Sequence, residues 1–249
     1  MQNKRIGIIV SIIIGTIIIG AITLGQDNPN DSLDKYAIDD KTVLVQLQNN
    51  LPVLLVDIRT AEQFQAGHLK GSAHDNLNST TLEKRITTIQ KRLPEVASTY
   101  NLVLVDDDGI IAKERAQTIT AMGIQTFYLE DGMNNLSEDI ISGTQTTIDS
   151  KELSQKITVD EDLFLLDVRQ PEELLESKIE GAVNVPLAEL FQPNGMDEIP
   201  NDKPVVVICG SGNRATIATY ALAQEGIDFV VLEGGMKAWN ASMEEEPTI

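Results

Sequence analysis

The sequence predicts an α/β fold: two similar domains in tandem, each a parallel β-sheet flanked by helices, after an apolar N-terminal segment. Three observations predict it. One residue pattern occurs twice along the chain. Short unbroken apolar runs alternate with stretches of helical periodicity. An uncharged run of 19 residues stands near the start.

That run, Ile6–Leu24, follows Lys4 and Arg5 and holds Gly7, Gly15 and Gly20 among many isoleucines. Roughly 20 apolar residues span the hydrocarbon core of a bilayer. The core of a secretory signal is shorter, about 7–15 residues, and ends at a small-residue cleavage site. Thr23-Leu24-Gly25 is a poor cleavage site. Residues 1–25 are therefore read as an uncleaved transmembrane anchor, with a signal peptide as the alternative. No cysteine follows, which excludes a lipoprotein anchor. Lys4 and Arg5 stay cytoplasmic by the positive-inside bias. The rest is then extracytoplasmic (periplasmic), held to the membrane, or secreted if the segment is cleaved. Residues 26–37, with Asn28-Pro29-Asn30-Asp31-Ser32, are polar and read as a tether.

The repeat fills the remainder. Leu54-Leu55-Val56-Asp57-Ile58-Arg59 is answered 110 positions later by Phe164-Leu165-Leu166-Asp167-Val168-Arg169. Glu62 pairs with Glu172, Leu69 with Ile179 and Gly71 with Gly181 at the same offset. From Leu102-Val103-Leu104-Val105 onward the offset is 103, matching Val205-Val206-Val207-Ile208, Gly109 with Gly212 and Gly123-Ile124 with Gly226-Ile227. The first copy thus carries seven extra residues between Gly71 and Leu102. Domains over 38–142 and 143–249 follow.

Within each copy the apolar runs ending at Asp57, Val105, Asp167 and Ile208 have the length of buried parallel strands. Arg214–Glu225 has helical spacing and stops at Gly226; Ala112–Met122 before Gly123 is its counterpart. Phe229–Leu232 is the next strand, closed by Gly234-Gly235. Strand, helix, strand at this spacing is a parallel crossover.

Composition excludes several function classes. The formal net charge of −19, or −21 once Lys4 and Arg5 are set aside, argues against nucleic acid and against docking on anionic lipid. One cysteine excludes a disulfide framework and any cysteine-cluster metal site. His68 and His74, the two histidines, leave little for a His-based metal centre. No metal and no cofactor is expected.

The single cysteine, Cys209, stands between a strand and a helix, in Cys209-Gly210-Ser211-Gly212-Asn213-Arg214. Ligands in parallel α/β sheets bind at the carboxyl ends of strands. A short loop entering a helix turns several backbone N–H groups toward one point. Gly210 and Gly212 permit the positive φ angles such a cradle needs. The helix start and Arg214 add positive potential, which favours a thiolate. A thiolate on an anion cradle, reachable from solvent, is a nucleophile for an anionic substrate.

These residues resemble the rhodanese family of sulfurtransferases. The resemblance rests on Asp167-Val168-Arg169 with Glu172-Glu173, on Gly181-Ala182-Val183-Asn184-Val185-Pro186, on the Cys209–Arg214 loop followed by Ala215, on Leu232–Trp239, and in the first copy on Asp57-Ile58-Arg59 through Ala66–Ser72. It implies that Cys209 takes sulfur from a small anionic donor as a persulfide and passes it to a thiol or cyanide-like acceptor. It implies that the loop N–H groups of Gly210, Ser211, Gly212, Asn213 and Arg214 hold the sulfur and the donor's anionic part, with a further hydrogen bond from Ser211. The donor reading leans to thiosulfate or polysulfide. A mercaptopyruvate-type donor, a persulfide carrier or sensor without turnover, and a phosphatase or arsenate reductase stand as alternatives. Four residues between Cys209 and Arg214 make a smaller ring than the five of the phosphatase loops.

The first copy places Asp106 at the cysteine position and Ile111 at the arginine position, so it is expected to be inactive. Asp106-Asp107-Asp108 reads as a solvated acidic loop rather than a metal site. His68 reads as structural and His74 as a surface loop residue. Asp57 and Asp167 are expected to pair with nearby arginines, and Trp239 to serve packing.

Overall fold

In the computed structural model, residues 34–245 are described, apart from 50, 135, 137–139, 142–145 and 160. The anchor read over 1–25 and all of the tether up to residue 33 lie outside the described residues. Among those described, no helix is long and apolar enough to cross a membrane.

The first half runs β1 (Ala37–Ile38), α1 (Asp40–Gln48), β2 (Val53–Asp57), α2 (Ala61–Ala66), β3 (His68–Leu69), β4 (Ser72–His74), α3 (Leu82–Arg92), α4 (Pro94–Thr99), β5 (Asn101–Val105), α5 (Ile110–Ala121), β6 (Thr126–Leu129) and β7 (Ile140–Ile141). The second runs β8 (Thr147–Ile148), α6 (Ser150–Thr158), β9 (Phe164–Asp167), α7 (Pro171–Leu174), β10 (Val183–Asn184), α8 (Leu187–Leu190), β11 (Val205–Ile208), α9 (Asn213–Gln224), β12 (Phe229–Leu232) and α10 (Gly235–Glu245).

Each half holds a five-stranded sheet with every pairing parallel, β1-β6-β5-β2-β4 in the first and β8-β12-β11-β9-β10 in the second. The two orders are the same once the copies are aligned, as the sequence repeat requires. The central strands are unbroken apolar runs because both faces are covered: all of Val53–Asp57 and Val205–Ile208 are buried. Helix starts are fixed locally. Asp39 and Asp149 accept N–H groups of the first turns of α1 and α6, and Thr60 with Gln63 closes a capping box on α2.

The tether reading ends too late. Tyr36 packs against the core and Ala37–Ile38 pairs with Tyr128 and Leu129 as an edge strand. The seven-residue excess of the first half belongs to the segment that builds α3 and α4.

The halves are not separate bodies. Helix α9 of the second half packs on its own β11 and β12 and also on β2 and β4 of the first. One core cluster therefore takes Leu54, Val56 and Leu104 from the first half and Leu166, Val207 and Leu222 from the second. This explains the composition of α9: Ala215 and the whole run Ile217–Ala223 are buried, with no solvent-facing stripe. A helix apolar all round is a buried helix. Its small alanines let two sheets approach it from opposite sides.

Candidate active site

Parallel register sets the site. Asp167 pairs with Ile208, so the carboxyl ends of β9 and β11 are level and Cys209 begins the loop there. Gly212 has φ +91°, a left-handed conformation that a side chain would strain, and it turns the Gly212 N–H to Cys209 Sγ at 3.1 Å. Gly210 is not in that region, so only one of the two glycines read as left-handed is so. The next N–H groups, of Asn213, Arg214 and Ala215, belong to the first turn of α9, where no intrahelical acceptor exists.

The loop is held from behind by α10. Met236 N–H donates to the Cys209 carbonyl at 2.8 Å and Lys237 N–H to the Gly210 carbonyl at 3.1 Å. A Cβ on Gly235 would stand 2.8 Å from Ser211 N and collide with the Cys209 carbonyl oxygen. Gly235 is thus required for close approach, a role its position after β12 did not reveal.

Arg214 is not a free cation. Its guanidinium makes two hydrogen bonds to Glu173, Nη1 to Oε2 at 2.5 Å and Nη2 to Oε1 at 2.7 Å. Those bonds hold the Glu173 carboxyl down at about 2. Glu173 is aimed by α7, where its carboxylate accepts the Gln170 N–H at 3.0 Å in a capping box. Behind it Arg169 chelates Asp167 (Nη2 to Oδ2 2.7 Å) and donates to the carbonyls of Glu173 and Ser177. Asp57 and Arg59 form the matching pair in the first half, at 2.6 Å. Both aspartates, the last residues of β2 and β9, pair with arginines as expected.

One expectation is corrected here. The Cys209 side chain, expected to be reachable from solvent, is 1% exposed and belongs to the core cluster. It packs in that cluster with Leu166, Val207 and Ala215. The Asn213 side chain does not face the sulfur: it is taken up by Arg85 and Thr88 of the first half. Ser211 is exposed.

The first half shows the same cradle already filled. Asp106, expected in a solvated loop, is 4% exposed. Its Oδ1 accepts the Gly109 N–H at 2.6 Å, and its Oδ2 accepts those of Ile111 and Ala112, each at 2.9 Å. Buried polar groups need partners, and three N–H groups satisfy this carboxylate. Asp107 and Asp108 are the exposed ones. They line, with Arg59, Glu62, Ile110 and Ile111, a cleft of about 660 Å³ beside the filled cradle.

His68 is buried, stacked on Phe64 at 3.6 Å between centroids, with Nδ1 against the Phe64 carbonyl oxygen at 2.8 Å. Burial pushes its pKa down. His74 lies on strand β4 rather than in a loop, its Nε2 on the Arg59 carbonyl oxygen at 3.0 Å. Trp239 packs, partly buried, against the core cluster of the second half.

A duplicated parallel α/β fold with a cysteine loop at a strand end in one copy, and a carboxylate in the same loop of the other, defines the class. A family model for the rhodanese-like domain matches residues 40–139 and again 149–242, and the chain belongs to that family as a tandem pair. The sulfurtransferase of Allochromatium vinosum is 41% identical over 93 residues, 37% of this chain and 85% of that protein. YtwF of Bacillus subtilis is 39% identical over 92 residues, 37% of this chain and 87% of its own length. Among solved structures, a rhodanese-related protein from Thermoplasma volcanium is 33% identical with a TM-score of 0.36, covering 42% of this chain and 97% of its own.

Proposed function

We propose that this protein moves a sulfane sulfur from a small anionic donor, of which thiosulfate is the type, to a thiophilic acceptor through a persulfide on Cys209. The observation that carries the reading is the Gly212 N–H on Cys209 Sγ at 3.1 Å, in a loop whose first-half twin holds a carboxylate with the same N–H and two more. A ring that satisfies a carboxylate suits a thiolate and the negatively charged outer sulfur of a persulfide.

In the first step the Cys209 thiolate attacks the outer sulfur of the donor. A new S–S bond forms, the donor's own S–S bond breaks, and sulfite departs with the electron pair. In the second step the acceptor nucleophile attacks the outer sulfur, and the Cys209 thiolate leaves with the pair it had shared. Gly210, Ser211 and Gly212 supply the loop backbone, with Ser211 exposed at the donor's side. Asn213 and Arg214 supply the helix start. An anionic donor competes with Glu173 for the Arg214 guanidinium, and in doing so opens the flank of the buried sulfur. The first half does no sulfur chemistry, because a carboxylate forms no persulfide.

The test is mass spectrometry of the full chain after thiosulfate treatment. The wild type is expected to gain one sulfur atom, and Cys209→Ser none, with turnover to cyanide lost in parallel. Undiminished transfer by the serine variant would sink the assignment. A second reading, a persulfide carrier that loads once and waits for a partner, is favoured by the 1% exposure of Cys209. A single-turnover burst without steady-state turnover would select it. Mercaptopyruvate in place of thiosulfate, and a chromogenic phosphate ester, decide the remaining donor readings.

The same proposal places residues 38–249 outside the cytoplasm behind a membrane anchor, or secreted after its cleavage, on the strength of Lys4, Arg5 and the run Ile6–Leu24. A topology reporter fused to the C-terminus is expected to signal from outside; a cytoplasmic signal overturns it.

A further inference from the structure

Helix α3 lies over the start of α9 and carries Arg85, 128 positions before Asn213 in sequence. Arg85 is 6% exposed, and its neighbours Asp75 and Tyr220 are also buried. Its guanidinium is divided between two halves of the protein. Nε and Nη2 donate to Asp75 Oδ2 and Oδ1 at 2.5 and 3.2 Å, and Nη1 donates to the Asn213 carbonyl at 2.6 Å and to Asn213 Oδ1 at 2.8 Å. Asn213 Nδ2 donates in turn to Thr88 Oγ1 at 2.8 Å, and the Tyr220 hydroxyl to Asp75 Oδ2 at 2.6 Å. Burial works against the Arg85 charge, but Asp75, with Tyr220 and Cys209, more than offsets it, so the guanidinium stays protonated.

The target of Arg85 matters because of peptide geometry. The bond joining Asn213 to Arg214 is a planar trans peptide, so its C=O and its N–H point in opposite directions. Holding the Asn213 carbonyl toward α3 therefore aims the Arg214 N–H away from α3, into the loop. The first half shows what that N–H meets: its counterpart, Ile111 N–H, donates to Asp106 Oδ2 at 2.9 Å, while Gly109 N–H serves Oδ1. If Oδ1 stands where Cys209 Sγ stands in the second half, Oδ2 marks the place of an atom bonded one step further out.

We propose that Arg85 is a positioning residue for the Cys209 site, contributed by the half that does no chemistry: by clamping the Asn213 carbonyl it aims the Arg214 N–H at the outer sulfur of a Cys209 persulfide. This rests on the reading of Cys209 as a sulfur carrier. Arg85 does not touch the donor, so its loss lowers the rate of the chemical steps and leaves donor binding alone. A misaimed N–H group costs up to about a hundredfold in rate.

The experiment compares the full-length wild type with Arg85→Met, Arg85→Lys and Thr88→Val. Two readouts are taken: amide hydrogen exchange of the peptide spanning 209–215, and kcat and KM for thiosulfate. In Arg85→Met, exchange of that peptide is expected to quicken while β9 and β11 stay protected. Its kcat should fall at least about tenfold with KM within about twofold of wild type. Arg85→Lys, which keeps the charge but cannot span Asp75 and Asn213 together, should fall between. If Arg85→Met fails to fold, Thr88→Val decides by the same readouts, with a smaller change in the same direction. Unchanged exchange and unchanged kcat overturn the proposal, as does a rise in KM alone, which would make Arg85 a donor contact. A wild type that never loads sulfur defeats the carrier reading instead, and the exchange readout still judges the clamp.

Discussion

Asp106 and Cys209 sit 103 positions apart and receive the same hydrogen bond. Gly109 N–H meets Asp106 Oδ1 at 2.6 Å, and Gly212 N–H meets Cys209 Sγ at 3.1 Å. In one copy the group that takes this N–H is a carboxylate; in the other it is a sulfur.

Asp106→Ala leaves the N–H groups of Gly109, Ile111 and Ala112 buried without their acceptor. Each such loss costs about 1–3 kcal/mol before water enters. Denaturant unfolding is expected to show a net loss of a few kcal/mol, while sulfur loading of Cys209 in the folded fraction is unchanged. Loss of loading in protein that is still folded would show that the first cradle takes part in the chemistry.

Glu173→Gln weakens the hold on Arg214. With its partner no longer charged, Arg214 attracts the donor more strongly, so KM for thiosulfate is expected to fall several-fold at low ionic strength. Salt should erase the gain, because the flank is partly open to solvent. The pH dependence has a definite sign. Glu173 lies at about 2 in the folded protein against an ordinary 4.5, so its stabilising contribution is whole above 4.5 and fades as pH falls toward 2. Thermal melts from pH 7 to 3 should show the wild-type advantage over Glu173→Gln shrinking below 4.5.

His68 titrates the other way from a salt-bridged histidine. Burial lowers its pKa below the ordinary 6.5, so the unfolded chain takes up the proton first. Stability from this group is complete above 6.5 and declines as pH falls, by at most about 1.4 kcal/mol per pH unit. His68→Gln is expected to be less stable at pH 8, having lost the stack on Phe64, yet to lose less on going from pH 7 to 5. An identical slope in the variant would remove His68 as the source.

Leu222→Ala opens a cavity in α9 between the two sheets. Such truncations cost about 2–5 kcal/mol. Since α9 serves both cores, the unfolding followed by Trp239 fluorescence and by backbone circular dichroism should shift together as one transition. Two separated transitions would mean that the halves melt independently.

The central strands, the two longest helices of the repeat, the duplication and the Cys209 loop are legible in the sequence because each is a local signal: an apolar run, a glycine stop, a motif of six residues. The Asp57–Arg59 and Asp167–Arg169 pairs are legible for the same reason. The short edge strands are not, since two or three residues carry no periodicity. Glu173 had a trace, its capping-box spacing from Gln170, but nothing local ties it to Arg214, 41 positions away. Arg85 had no trace at all: a charged residue on a helix reads as solvated until the fold brings Asn213 and Asp75 to it. The burial of Cys209 is not legible either: a loop between strand and helix looks open in one dimension, whereas the fold sets its first residue in the core cluster.

Helix α9 presents alanines, Ile217, Tyr220 and Leu222 to two sheets at once, and that sets a limit on how small this protein can become. Cutting away the first copy would bare an oily flank along the very helix that follows the Cys209 loop. A trimmed single module would then stick to itself or to whatever apolar surface lay nearby, unless new polar residues were written along that flank. The mute twin persists as a wall of its neighbour's interior.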